Sequence, residues 1–267
     1  MTELAAFTID GTRLEYRWAG PAVDQAPTLV LLHEGLGSVG LWRDFPEKLA
    51  AATGLGVFAY SRAGYGGSDP KPLPWPITYM EDEATEILPH VLDAIGFRRG
   101  LLVGHSDGAS IAALYCGTVS DPRVRGAVLM APHFFIEDIC VEAIAAAKRA
   151  YEHGDLRPRL ARYHGANVDN AFYGWNGAWL DENFRRWDIT DALHHIRVPL
   201  LVLQGLADPY GTRAQADVVD ELCTAPVSVE LLDQVGHAPW QEAEATTLAA
   251  IQEFAGKILQ HIPLSRT

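Results

Sequence analysis

Ser106 stands at the centre of Gly104-His105-Ser106-Asp107-Gly108, a G-x-S-x-G pattern. Apolar residues from Leu101 lead into it, and a helical pattern runs from Asp107 to Val119. The serine is therefore expected at the apex of a sharp strand-to-helix turn, its hydroxyl exposed above a sheet and its flanks kept open by glycine. A serine hydroxyl is a poor nucleophile until a base takes its proton, and histidine titrates near neutrality. The histidine must present the right tautomer, which a buried carboxylate enforces by accepting its other N–H. Downstream, Asp208 closes Gly205-Leu206-Ala207-Asp208, and His237 closes Asp233-Gln234-Val235-Gly236-His237. Those three residue types together would support acyl transfer. Asp233, Glu137 and Asp138 are rival carboxylates for the position of Asp208. A tetrahedral intermediate also needs two preplaced N–H donors. The backbone N–H of Asp107, at a helix N-terminus, is one candidate.

These side chains need elements to position them. Residues 3–10 and 12–19 read as strands joined at Asp10-Gly11, a hairpin turn signal. The apolar runs Thr28 to Leu32, Gly56 to Tyr60, Gly100 to Val103, Val124 to Met130 and Val198 to Gln204 read as buried strands of a parallel sheet, followed by a last strand from Val227 to Leu232. Helical patterns fall at 42–52, 79–95, 107–119, 213–222 and 240–260, so the chain alternates strand and helix. Lys71 to Pro76 holds three prolines and excludes regular helix or central strand. The alternation breaks at 133–195, which is helical in pattern. Eight of the chain's 25 aromatic residues (7 Trp, 9 Tyr and 9 Phe) fall between Tyr151 and Trp187. Such a segment reads as a cap that walls an apolar cleft. Ser106, Asp208, His237 and the loop beginning at His33 all fall at C-terminal ends of expected strands, where open α/β sheets place their sites.

The 267 residues are 48% hydrophobic and 21% charged, enough for one large core. The formal net charge of −13 argues against nucleic acid and anionic membranes as partners. No apolar stretch approaches the length of a membrane span, and the N-terminal residues lack the pattern of a signal peptide. Cys116, Cys140 and Cys223 have no C-x-x-C spacing and read as reduced, mostly buried thiols of a cytoplasmic protein. The run Gly64-Tyr65-Gly66-Gly67 lacks the spacing of a dinucleotide loop, and no histidine spacing suggests a metal. No cofactor or metal is expected.

Five motifs in order, LLHEGLGS, SRAGYGGS, VGHSDG, LQGLADPYG and VGHAPW, resemble the capped α/β-hydrolase superfamily over essentially the full length. The resemblance implies a mostly parallel eight-stranded sheet flanked by helices. It divides the chain into a core from 1–132 and 196–267 and a helical cap from 133–195. It makes Ser106 the nucleophile, His237 the general base and Asp208 its orienting acid, with the N–H groups of Asp107 and Gly35 as the oxyanion hole. One position departs from the pattern: Glu34 stands where family members usually carry glycine. Its side chain faces the cleft, or else it faces the loop exterior or pairs with a cation such as Arg62, and the departure leaves the second oxyanion donor open between Gly35 and Glu34. Glu34, Phe134, Tyr173, Trp175, Trp179 and Trp240 are the candidate substrate-binding residues. His105 is expected to pack under the turn, and His33 to brace the oxyanion loop. The expected substrate is a small to medium carboxylic ester, met by a monomer or homodimer. Thioester, lactone and C–C bond hydrolysis fit the same triad. A non-catalytic ligand-binding protein on this scaffold is the alternative of a different class.

Overall fold

The computed structural model describes residues 4–259, so the ends expected at residue 3 for the first strand and 260 for the last helix lie outside them. Within these residues eight strands form one sheet in the order β1-β2-β4-β3-β5-β6-β7-β8. They are β1 (Ala5–Ile9), β2 (Thr12–Ala19), β3 (Thr28–Leu32), β4 (Gly56–Tyr60), β5 (Gly100–His105), β6 (Val124–Met130), β7 (Leu200–Gly205) and β8 (Val227–Leu232). β1 pairs with β2 and β2 with β4 antiparallel, and every later pairing is parallel.

The central strands are apolar throughout because both faces of the sheet are covered. Leu29, Leu31, Val57, Leu101 and Val103 pack on one face with Phe45 and Leu49 of α1 (Phe45–Thr53). Alternate residues Val30, Leu32, Phe58 and Leu102 pack on the other face. There they meet Leu88 and Val91. Both belong to a helical run that passes from α2 (Tyr79–Asp82) through a π-turn (Glu83–Ile87) to α3 (Leu88–Ala94). Ile111 and Leu114 of α4 (Asp107–Thr118) join the same face. The period of two along each strand thus feeds two half-cores. Helix α1 begins at Phe45, later than the sequence pattern suggests. Arg43 sits at φ 53°, outside the helical region, and Pro46 is suited only to a first turn.

Between β6 and β7 the chain runs through α5 (Asp138–His153), α6 (Leu156–His164), α7 (Val168–Trp179) and α8 (Thr190–Leu193), with short 3₁₀ turns between them. The only β-contact in this span is an isolated bridge between Phe135 and Asp188. After β7 follow α9 (Ala214–Leu222), then α10 (Pro239–Glu242) and α11 (Glu244–Leu259) beyond β8. The expected helix over 240–260 is thus two helices, divided at Ala243, whose φ −131° and ψ 46° are not helical. No helix among the described residues is long and apolar enough to cross a membrane.

The turn after β5 brings backbone close against backbone. A Cβ on Gly108 would lie 2.0 Å from the Leu32 carbonyl oxygen, and one on Gly104 would lie 2.2 Å from that of Gly108. Both neighbours are main chain and have no rotamer to yield. Gly108→Ala is therefore expected to cost about 3 kcal/mol, which lowers the midpoint of thermal unfolding by roughly 6–12 °C. Gly177→Ala on α7, where nothing lies within 4 Å of the new methyl, should leave the midpoint unchanged or raise it. Equal midpoints for the two variants would refute the close-approach account.

Candidate active site

Ser106 follows β5 directly and takes φ 52° and ψ −121°, a left-handed conformation that L residues avoid. The strain is held from both sides. The Ser106 N–H donates to the Met130 carbonyl at 2.8 Å, and its own carbonyl accepts from Ala109 at 2.8 Å and Ser110 at 3.0 Å. α4 starts at Asp107, so the first N–H groups of that helix lack partners within it.

Ser106 and His237 line one cavity of about 90 Å³ together with Glu34, Gly35, Leu36, Asp107, His133, Cys140, Ile144, Trp175, Trp179 and Tyr210. Its walls come from the loops after β3, β5, β6, β7 and β8, and from α5 and α7. A roomier groove of about 480 Å³, with Asp121, Arg125 and Arg197 in its walls, opens at the N-terminal ends of β6 and β7, away from Ser106.

His237 Nδ1 lies 2.8 Å from Asp208 Oδ2 and 3.0 Å from Oδ1. The carboxylate also accepts from the Tyr210 backbone N–H at 2.8 Å and from Gln204 Nε2 at 3.1 Å. Burial pushes the Asp208 carboxyl up, but the hydrogen bond and charge of His237 outweigh it and hold the group below the ordinary carboxylate range. Of the rivals, Asp233 is exposed, and Asp138 pairs with Arg185 at 3.3 Å. Glu137 accepts from Thr212 and Gln215.

The loop after β3 is braced from beneath. Arg62 donates to the carbonyls of His33 and Glu34, and its backbone N–H donates to His33 Nε2 at 3.1 Å. His33 Nδ1–H donates to the Glu34 carbonyl at 2.7 Å. Burial, joined by the charge of Arg62, drives the His33 imidazole well below its ordinary range, so it is neutral. The Glu34 side chain does not meet Arg62. It turns to the cavity and places Oε2 3.4 Å from His105 Nδ1. Asp107 points away from solvent and accepts from Tyr79 Oη, which in turn accepts from Trp179 Nε1 at 2.8 Å. Burial raises the Asp107 carboxyl against the opposing charge of Arg62.

Of the sequence-derived wall residues, Glu34, Trp175 and Trp179 reach the cavity. Trp175 lies so close that a Cβ on Gly35 would meet its Nε1 at 2.1 Å. Phe134, Tyr173 and Trp240 do not line it. Phe134 is fully buried in the core. Tyr173 projects from the outer side of α7, 40% exposed, because Trp175 and Trp179, four residues apart, take the inner face. Trp240 is sealed on the opposite core, 4.8 Å from Trp42 and 5.6 Å from Phe45.

The sequence reading passed over Leu36, His133, Cys140, Ile144 and Tyr210 as wall residues. His133, just past β6, sits edge-on to Trp179 at 5.2 Å and 5.7 Å from the His237 ring. Burial, helped by the charge of His237, pushes it down to about 3, so it faces the cavity neutral. Its place at a strand end was the available signal, shared with Tyr210, whose ring lies 4.7 Å from that of His237. Burial pushes the Cys140 thiol up, so it is not a thiolate nucleophile. The three cysteines are free, with Cys140 buried and Cys116 and Cys223 half-buried. No cluster of three or more potential metal ligands occurs among the described residues.

The chain belongs to the alpha/beta hydrolase family, whose profile matches residues 29–250. Among its curated relatives, a proline iminopeptidase from Lactobacillus helveticus is 22% identical over 268 residues, covering 86% of each chain. A non-heme chloroperoxidase from Streptomyces lividans is 28% identical over 255 residues, covering 84% of this chain and 86% of that protein. Among solved structures, the enol-lactonase from Burkholderia xenovorans LB400 shares the fold with a TM-score of 0.71 at 19% identity, over 94% of this chain and 99% of that one.

Proposed function

We propose that this protein is a serine hydrolase that cleaves a small carboxylic ester through an acyl-enzyme on Ser106. The observation that carries the reading is a serine in the left-handed turn of β5–α4 that shares one cavity with a histidine held at 2.8 Å by a buried aspartate. His237, with Nδ1 committed to Asp208, takes the Ser106 proton at Nε2 as Oγ attacks the ester carbonyl. The carbonyl oxygen becomes an oxyanion, for which the N–H groups of Asp107 and Gly35 are the donors. The C–O bond then breaks, and His237 returns the proton to the departing alkoxide. Water, deprotonated by the same histidine, attacks the acyl-enzyme and releases the carboxylic acid and free Ser106.

The helical segment over 133–195 acts as the cap, supplying Ile144, Trp175 and Trp179 as apolar walls. A volume of about 90 Å³ is well below the several hundred Å³ of pockets for drug-sized ligands, which supports a short acyl group. A series of p-nitrophenyl esters tests this. Acetate to butyrate should exceed dodecanoate by about tenfold or more in kcat/KM, each added methylene in a closed pocket being worth a sizeable factor. A flat or rising series would overturn the small-acyl reading.

A further inference from the structure

We propose that Glu34 and His105 form a positioning pair for His237, tying the loop after β3 to the loop after β8 behind Ser106. The proposal rests on the reading of Ser106 and His237 as nucleophile and base. His105 is the last residue of β5, with its side chain only 3% exposed. Its Nε2 lies 2.7 Å from the His237 backbone carbonyl. A carbonyl only accepts, so Nε2 carries a proton. Nδ1 lies 3.4 Å from Glu34 Oε2 and 3.2 Å from Trp240 Nε1. An ionised carboxylate only accepts and an indole N–H only donates. Nδ1 has one in-plane direction, so it serves one of these partners at a time: protonated, it donates to Glu34; deprotonated, it accepts from Trp240.

The loop is shaped around the Glu34 carboxylate. A Cβ on Gly37 would come within 2.5 Å of Oε2 and 2.7 Å of Cδ, so glycine there leaves the carboxylate its seat. Burial opposes charge on both partners, yet the hydrogen bond and charge each gives the other, joined on His105 by the bond to the His237 carbonyl, outweigh it. His105 is held above the ordinary imidazole range and Glu34 below the ordinary carboxylate range. The other ionisable groups facing the pair are His237 and Asp208 from the β8 and β7 loops, His33 and Asp107 beside Glu34 and Ser106, His133 after β6, and His164 at the end of α6. The ionic form secures the His237 main chain by a charge-assisted hydrogen bond, while Asp208 secures its ring. Glu34, placed where a glycine is usual, thereby acts through His105 on the base.

The linkage has a definite sign. The His105 contribution to stability is full below its ordinary value of 6.5 and is lost as pH rises through its raised folded value. The Glu34 contribution is full above 4.5 and is lost as pH falls through its lowered folded value. The pair therefore stabilises most between those two ordinary values.

The test compares the full-length wild type with Glu34→Gln, His105→Gln and the double variant. In wild-type protein near pH 6, ¹⁵N shifts of the His105 imidazole should report both nitrogens protonated; a neutral ring would overturn the pair, whether or not any ester is hydrolysed. Glu34→Gln should lower ester kcat by about tenfold with KM within about twofold. Its alkaline limb should move to lower pH, since His105 loses its counter-charge. The double variant should be no slower than the worse single variant, because both remove one interaction. An unchanged kcat–pH profile in Glu34→Gln, or fully additive losses, would refute positioning. A wild type that labels with a fluorophosphonate but cleaves no ester would count against the proposed substrate class and leave the imidazole measurement to decide the pair.

Discussion

Ser106→Ala is expected to lower ester kcat/KM by at least about 10³-fold and to abolish labelling by a fluorophosphonate probe. In the proposed mechanism alanine removes the atom that would form the acyl bond, and it leaves the surroundings intact. The Ser106 side chain makes no capping hydrogen bond to α4, and the backbone bonds that hold its left-handed φ run through main-chain atoms that alanine retains. The midpoint of thermal unfolding should therefore stay within about 2 °C of wild type, since no buried contact of about 1 kcal/mol is lost. Cavity, the backbone N–H groups of Asp107 and Gly35, and the His237–Asp208 pair should all persist in the variant. Residual turnover then measures what binding and N–H donation achieve without a nucleophile. Steady-state kinetics on a short-chain ester, alongside labelling and a melting curve, decides the matter. Turnover within tenfold of wild type would remove Ser106 from the mechanism.

The second large effect falls on Asp208. Asp208→Asn should reduce kcat by about 10³–10⁴-fold with little change in KM. The amide preserves the shape of the carboxylate but can offer an N–H where Nδ1–H requires an acceptor. The imidazole then favours the tautomer that puts its proton toward Ser106, and it can no longer act as a base. Asp233→Asn, four residues before His237 but exposed, should leave kcat within about twofold. If that variant lost activity and the Asp208 variant kept it, the assignment of the acid would be reversed. The stability arithmetic is independent of catalysis. Burial raises the Asp208 carboxyl, and the bond and charge of His237 bring it below its ordinary value of 3.8. The stabilising contribution is thus complete above 3.8 and is lost as pH falls through the lower folded value. Acid unfolding of the asparagine variant should lack that component.

How far the sequence reaches is clearest in this site. Five continuous apolar runs and one edge strand specify where each strand ends, because a strand buried on both faces must be apolar along its length. Turn residues follow at once. The positions of Ser106, Asp208 and His237 in chain order could therefore be read without coordinates: each depends on a few neighbours and on a general rule about strand ends. Ser106 and His237 share one cavity, and His237 and Asp208 stand 2.8 Å apart.

What the fold alone decided is which way side chains face once elements dock. Trp175 and Trp240 look equivalent in the sequence. One closes over Gly35 and the other is sealed against Trp42, because α7 lies across the strand ends and α10 packs into the opposite core. Tyr173 is two residues from Trp175, and the helical turn sends it outward. Glu34 carries the same lesson. The sequence exposed it as standing where a glycine is usual and left its partner open. Its partner is His105, 71 residues further along the chain. That contact exists only because β3 and β5 are parallel neighbours, pairing Leu32 with Gly104, so that the loops leaving them are held side by side. Local residue types determined the strands, their ends and the reactive groups that stand there; long-range strand pairing and helix docking decided which of those groups meet, since such contacts join residues far apart in the chain.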